Sequence, residues 1–133
     1  MQFGTIQKTV LLVDDNRFVV ELYADAFRNA GFDTDVAIGA AEALKKIRSE
    51  KVYDAIVVDV VMVAVDGLEL IEKIKQEGLS QKSVFIVLTN AVEPDKIDKA
   101  KELGVAMYLT KVSTVPVEAV RQVAQALEAR PRI

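Results

Sequence analysis

The sequence predicts a doubly wound α/β domain, a five-stranded parallel sheet with helices on both faces. Three observations predict it. Short Val/Ile/Leu-rich runs alternate with stretches of helical periodicity five times along the 133 residues. The central runs are apolar throughout, which marks strands buried on both faces. The sequence shows no linker, low-complexity stretch or charge block, and its length suits one domain, so residues 1–133 are expected to fold as a unit.

Each element follows from its own residues. The first strand is Lys8 to Val13, ending at the pair Asp14 and Asp15. The first helix, Arg17 to Ala30, repeats Val20, Ala24 and Phe27 on one face, with Gly31 behind it as a stop. Asp33 to Ala37 is a short second strand, and Ala40 to Ser49 a helix that turns Ala43, Leu44 and Ile47 inward. Asp54 to Val58 is a central strand that delivers Asp59. Gly67 to Gln76 sets Leu68, Ile71 and Ile74 at helical spacing and closes at Gly78. Val84 to Leu88 is the fourth strand and leads into Thr89. Pro94 to Leu103 is a helix, with its proline in the first turn and Gly104 past its end. Ala106 to Leu109 is the fifth strand, just ahead of Lys111, and Pro116 to Ala129 is the last helix, stopped by Pro131.

Composition removes whole classes of function. Hydrophobic residues make up 51% and aromatics only 6%, so aliphatic side chains fill the core. A net charge of -3 argues against a nucleic-acid footprint. No stretch has the uninterrupted apolar length of a membrane span, and the start MQFGTIQKTV lacks the pattern of a signal peptide. With no cysteine as well, a cytoplasmic location is expected. The absence of histidine removes His-based triads, the usual zinc sites and the commonest general base. Any chemistry runs on carboxylates, hydroxyls, Lys, Arg and backbone groups.

In such a fold the carboxyl ends of the strands converge on one rim. Asp14, Asp15, Asp59, Thr89 and Lys111 all sit at strand ends, so three carboxylates, a hydroxyl and an ammonium are expected to meet there. The set suits a divalent cation and a phosphoryl group. Singly, each has a plainer reading: a capping pair, a turn aspartate, a strand-end threonine, a surface lysine. Together they favour a site, because close carboxylates without a cation repel one another.

The segments LLVDDN (11–16), VVDVVMVAVDG (57–67), IVLTN (86–90) and YLTK (108–111) carry a resemblance. Asp15, Asp59, Thr89 and Lys111 follow one another at intervals of 44, 30 and 22 residues. In these pieces, their order and their spacing, the whole chain resembles a response-regulator receiver domain of the chemotaxis type, a part of two-component signalling. The resemblance implies a flavodoxin-like sheet of order 2-1-3-4-5, whose switch point lies between strands 1 and 3.

The same resemblance implies roles. Asp59 would be the phosphoacceptor. Asp15 and Asp59 would bind Mg²⁺ directly, Asp14 through water, with the backbone carbonyl of Val61 completing the set. Lys111 would pair with Asp59 and then with a phosphoryl oxygen. Thr89 would donate its hydroxyl to the phosphoryl group, and Tyr108 would swing inward with it. Val61, Asn90 and Ala91 would line the phosphoryl pocket. The donor would be a phosphohistidine on a sensor histidine kinase or a His-containing phosphotransfer protein. The output would pass to a protein target through helix 4, strand 5 and helix 5. Such a domain is a regulator and not an enzyme, promoting only its own phosphorylation and dephosphorylation. It is expected to be a monomer or weak dimer without nucleic-acid or membrane partners. The rival reading is a phosphate-independent binding module. A flavodoxin or an aspartate-nucleophile phosphatase fits poorly, because DDNRF is neither a Ser/Thr/Gly-rich phosphate loop nor an Asp-x-Asp motif.

Five positions that depart from the family pattern carry expectations of their own. Val63 and Val112 stand where the family has prolines. A non-proline cis bond costs about 2.5–4 kcal/mol, so the Lys111–Val112 bond is expected to be trans. Asn90 is larger than the usual small residue, which narrows the pocket or adds a hydrogen bond. Val61 and Ala91 cannot orient a water through their side chains, so slow phosphate loss is expected, quickened by Val61→Asn with Ala91→Glu. The loop Val60 to Val65 is apolar for a rim loop. It is expected to fold onto the third helix, or else to leave part exposed for a partner.

Overall fold

Side chains alternate across the central strands, and each face of the sheet feeds its own apolar cluster. The computed structural model describes residues 7–49 and 51–130. Its strands are β1 (Thr9–Asp14), β2 (Asp33–Ile38), β3 (Ala55–Val58), β4 (Val84–Thr89) and β5 (Met107–Thr110). Between and after them run α1 (Arg17–Asn29), α2 (Ala40–Ile47), α3 (Gly67–Gln76), α4 (Pro94–Glu102) and α5 (Pro116–Ala129). All neighbours pair in parallel in the order β2-β1-β3-β4-β5, which is the expected order.

Val10, Leu12, Ala55, Val57, Ile86 and Leu88 face α1 and α5, packing with Ala24, Phe27 and Val123. The intervening Leu11, Val13, Ile56, Val58, Phe85 and Val87 face the other way, toward Ala43, Ile71, Ile74 and Ala100 of α2, α3 and α4. The period-two alternation of a strand sends residues to two cores, which is why these runs need no polar positions.

Helix starts carry local signals. Asn16 caps α1 by accepting the Val19 N–H at 3.1 Å. Asp66 and Glu69 form a capping box at the start of α3. Element bounds shift by a residue or two at the ends. β1 includes Asp14, because Ile38 is still opposite it in the sheet. The helix expected to reach Ser49 ends at Ile47. Pro131, expected to stop α5, lies outside the described residues.

The loop after β3 divides its side chains between the two expectations. Val60 is buried, while Met62 and Val65 pack against the α2–α4 core. Val61 and Val63 point to solvent. The Lys111–Val112 bond is trans, since no cis peptide occurs among the described residues. It lies within a turn of 3-10 helix over Lys111–Ser113. No helix among the described residues is long and apolar enough to cross a membrane.

Candidate functional site

Four strand ends supply the site. Asp14 closes β1, Asp59 follows β3, Thr89 closes β4 and Lys111 follows β5. Asp14 and Asp59 are each 6% exposed and Thr89 is fully buried. Charges at such depth require a partner. The Lys111 ammonium provides it, donating to Asp14 Oδ2 at 2.6 Å and to Asp59 Oδ2 at 2.7 Å. Burial alone would lower the Lys111 pKa, but hydrogen bonds and charge from Asp14 and Asp59 outweigh it and raise it. The side chain therefore remains a cation.

The other oxygen of Asp59 is held as well. Oδ1 accepts the Thr89 hydroxyl at 2.5 Å and the Val61 N–H at 3.1 Å. Thr89 Oγ1 in turn accepts the Ala91 N–H at 3.2 Å, which leaves its proton aimed at Asp59. The Ala91 carbonyl accepts the Tyr108 hydroxyl at 2.7 Å. Ala91 thus joins Thr89 to Tyr108 through its own backbone. Burial, and then the negative charges of Glu93, Asp59 and Asp95, push the Tyr108 phenol up, so it keeps the proton it donates. Asn90 lies exposed beside this chain of bonds, whereas Ala91 is buried.

The expected meeting of three carboxylates is a meeting of two. Asp14 turns toward Asp59, and its Oδ1 accepts the Asn16 N–H at 2.9 Å. Asp15 accepts the Val63 N–H through Oδ2. Its Oδ1 lies against Gly39, where a Cβ would come within 3.1 Å. Adjacent residues leaving an extended strand point to opposite sides, and that separates the pair. Among the described residues no group of three acidic side chains is gathered tightly enough to hold a metal ion. The donors nevertheless suit a small hard cation. Two buried carboxylates share a single positive charge, that of Lys111, and carboxylate oxygens are the ligands such a cation takes.

Two further residues shape the site without having stood out in the sequence. A Cβ on Gly67 would lie 2.1 Å from the backbone oxygen of Asp59, so only glycine lets α3 begin that close to the end of β3. The Asp66–Gly67 pair is visible in the sequence, but the close approach behind it is not. Tyr23 reaches from α1 to the carbonyl of Thr114 at 2.8 Å. No local pattern signals a bond across 91 positions.

A doubly wound sheet with paired carboxylates, a threonine and a lysine over its strand ends defines a class of regulatory α/β domain. The response regulator receiver domain family matches residues 10–125, and the chain belongs to that family. It is therefore a receiver domain of two-component signalling. The alkaline phosphatase synthesis transcriptional regulatory protein PhoP of Bacillus subtilis is 35% identical over 108 residues, covering 80% of this chain and 43% of the relative. The chain thus spans less than half the length of that relative. A probable chemotaxis protein CheY of Rhizobium etli is 28% identical over 80% of this chain and 82% of its own. Among solved structures, the receiver domain of Francisella response regulator 1452 superposes with a TM-score of 0.81 at 26% identity, covering 92% of this chain and 98% of that one. A CheY-like receiver domain protein from Methanospirillum hungatei gives 0.83 at 21% identity, covering 92% and 95%, a likeness of fold.

Proposed function

We propose that this domain is a phosphoacceptor switch in which Asp59 takes a phosphoryl group from a phosphohistidine on a sensor histidine kinase or phosphotransfer protein. The observation that carries this reading is the double hold on Asp59, with Lys111 on one carboxylate oxygen and Thr89 and Val61 on the other. A carboxylate so placed is oriented as a nucleophile and surrounded by donors for the charge it receives.

In the transfer, a carboxylate oxygen of Asp59 bonds to phosphorus as the phosphorus–nitrogen bond of the donor breaks, and the donor ring, already protonated on its other nitrogen, leaves as neutral imidazole. The Lys111 ammonium follows the negative charge onto a phosphoryl oxygen. The Thr89 hydroxyl and the Val61 N–H donate to others. Asp59 with the Val61 carbonyl would hold Mg²⁺, Asp14 through water and Asp15 on turning from the Val63 N–H that it now accepts, and the ion when bound would neutralise charge on the phosphoryl oxygens. Asn90 and Ala91 line the approach.

The output follows from the bonds already described. Thr89 and Tyr108 are joined through Ala91, so a change at the acceptor biases Tyr108 and the face of α4, β5 and α5. That face addresses a downstream protein. Docking of the donor is supported by exposed apolar side chains around the rim, among them Phe18, Val61, Val63, Val92, Val112 and Val115. We read residues 1–133 as one such domain, cytoplasmic, monomeric or weakly dimeric, acting on proteins and not on nucleic acid or membrane. Lys111 reaches the carboxylates without a proline after it, which weakens the case for a phosphate-independent module.

Intact mass after incubation with Mg²⁺ and acetyl phosphate tests the reading. One phosphoryl adduct that requires Mg²⁺ and is lost in Asp59→Asn is expected. No adduct with any of several donors, together with no binding of beryllofluoride, would overturn it.

A further inference from the structure

Lys111 is presented to the site by a segment with little to stiffen it. Its bond to Val112 is trans, Val112 is 85% exposed and Ser113 is exposed. The 3-10 turn closes through the Thr114 N–H on the Lys111 carbonyl at 3.3 Å, a long bond. The fixed point is the next residue along. Thr114 is buried, and its carbonyl accepts the Tyr23 hydroxyl at 2.8 Å in a bond that is itself buried.

Tyr23 is well placed for this. It projects from the second turn of α1 and packs in the apolar cluster with Val20, Ala24 and Val123, which fixes its ring. It lines the same small cavity as Asp14 and Asp59. One side chain therefore borders the floor of the site and grips the turn behind Lys111. Burial pushes its phenol up, against the opposing charge of Lys111, so the hydroxyl stays protonated and remains a donor.

We infer that Tyr23 is a positioning residue for Lys111: its hydroxyl holds the Thr114 carbonyl, and so holds the turn that aims the ammonium at Asp14 and Asp59. The consequence for phosphorylation rests on the phosphoacceptor reading, while the geometric role stands apart from it. Tyr23→Phe keeps the ring and removes only the bond, so the variant folds.

The deciding readout is the Lys111 Cε–Hε resonance of the labelled full chain without phosphate, assigned by its loss in Lys111→Met. In Tyr23→Phe it is expected to move toward the values of exposed lysines. Exchange of the Thr114 amide is expected to rise roughly 3- to 10-fold, as for the loss of one net hydrogen bond. Phosphorylation by acetyl phosphate is expected to slow by a similar factor. An unchanged Lys111 resonance overturns the inference, whatever the turn does. A wild type that accepts no phosphoryl group counts against the phosphoacceptor reading alone, since the resonance reports the positioning with no phosphate present.

Discussion

The ammonium of Lys111 stands 2.7 Å from the carboxylate of Asp59 and reaches it along a trans bond to Val112. The same nitrogen holds Asp14, so one cation separates two buried carboxylates. Removing it leaves both acids facing each other in a poorly solvated place. Lys111→Met is expected to cost roughly 3 kcal/mol at neutral pH, most of it the penalty of uncompensated charge. A divalent cation can take the vacated position, so Mg²⁺ is expected to raise the melting temperature of the variant more than that of the wild type. Melts with and without Mg²⁺ check this. Equal increments would show that Mg²⁺ does not replace the ammonium.

Gly67 yields a second prediction. A Cβ added there would sit 2.1 Å from the Asp59 oxygen, far inside van der Waals contact, and the obstacle is backbone. Gly67→Ala gains about 1 kcal/mol of helix propensity, against an overpacking cost of roughly 3 kcal/mol. The clash wins, and its relief moves Asp59. The variant is expected to be less stable in urea and to phosphorylate more slowly than its loss of stability explains. A variant as stable as wild type would contradict this.

The fold was legible because its signals are local. Uninterrupted runs such as VFIVL could only be strands buried on two faces, and Gly31, Gly78 and Gly104 stood where helices end. The strand order came from the resemblance, since hydrophobic runs do not name their neighbours. At the site, the strand ends put Asp14, Asp59, Thr89 and Lys111 in place. What stayed hidden depends on direction and on distance along the chain. Both acids stand at the end of the same strand, but only the pleat decides that Asp14 turns toward Lys111 and Asp59 and Asp15 toward Val63. The apolar loop after β3 could not be apportioned from composition, because Met62 packs inward while Val61 and Val63 face water. The bond from Tyr23 to Thr114 joins residues too far apart for any periodicity to show.

At the opposite end of the sheet, Asp54 ties β1 to the last helix. It accepts the Thr9 N–H at 2.8 Å and the Thr9 hydroxyl at 3.1 Å, and it meets Arg130 at 3.1 Å. Burial would raise its pKa, but these partners together lower it below the ordinary 3.8. A lowered folded value means stabilisation that is complete above 3.8 and disappears as pH falls through the folded value. Asp54→Asn is expected to cost roughly 1–2 kcal/mol at neutral pH. The gap to wild type should close as the solution is acidified past that window. Urea melts across the acid range check it, and a gap that persists at the lowest pH would show that charge on Asp54 contributes little.

On the proposed phosphoacceptor reading, the lifetime of a phosphoryl group on Asp59 is expected to turn on residues that cannot help a water. Val61 is 63% exposed, and its N–H donates to Asp59, so its side chain stands at the mouth of the site with room around it. A valine there offers no donor or acceptor. Ala91 also lacks one, but it is 9% exposed and its backbone bonds Thr89 on one side and Tyr108 on the other, so Ala91→Glu would disturb both bonds while adding a polar group. Val61→Asn is the cleaner change. Its amide can orient an attacking water without repacking the pocket. One such hydrogen bond in the transition state is expected to speed phosphoryl loss roughly 3- to 10-fold. Decay of the purified phosphoprotein, followed by intact mass in wild type and variant at one pH and one Mg²⁺ concentration, measures the effect. Equal decay rates would mean that water reaches the phosphorus by a path that position 61 does not control.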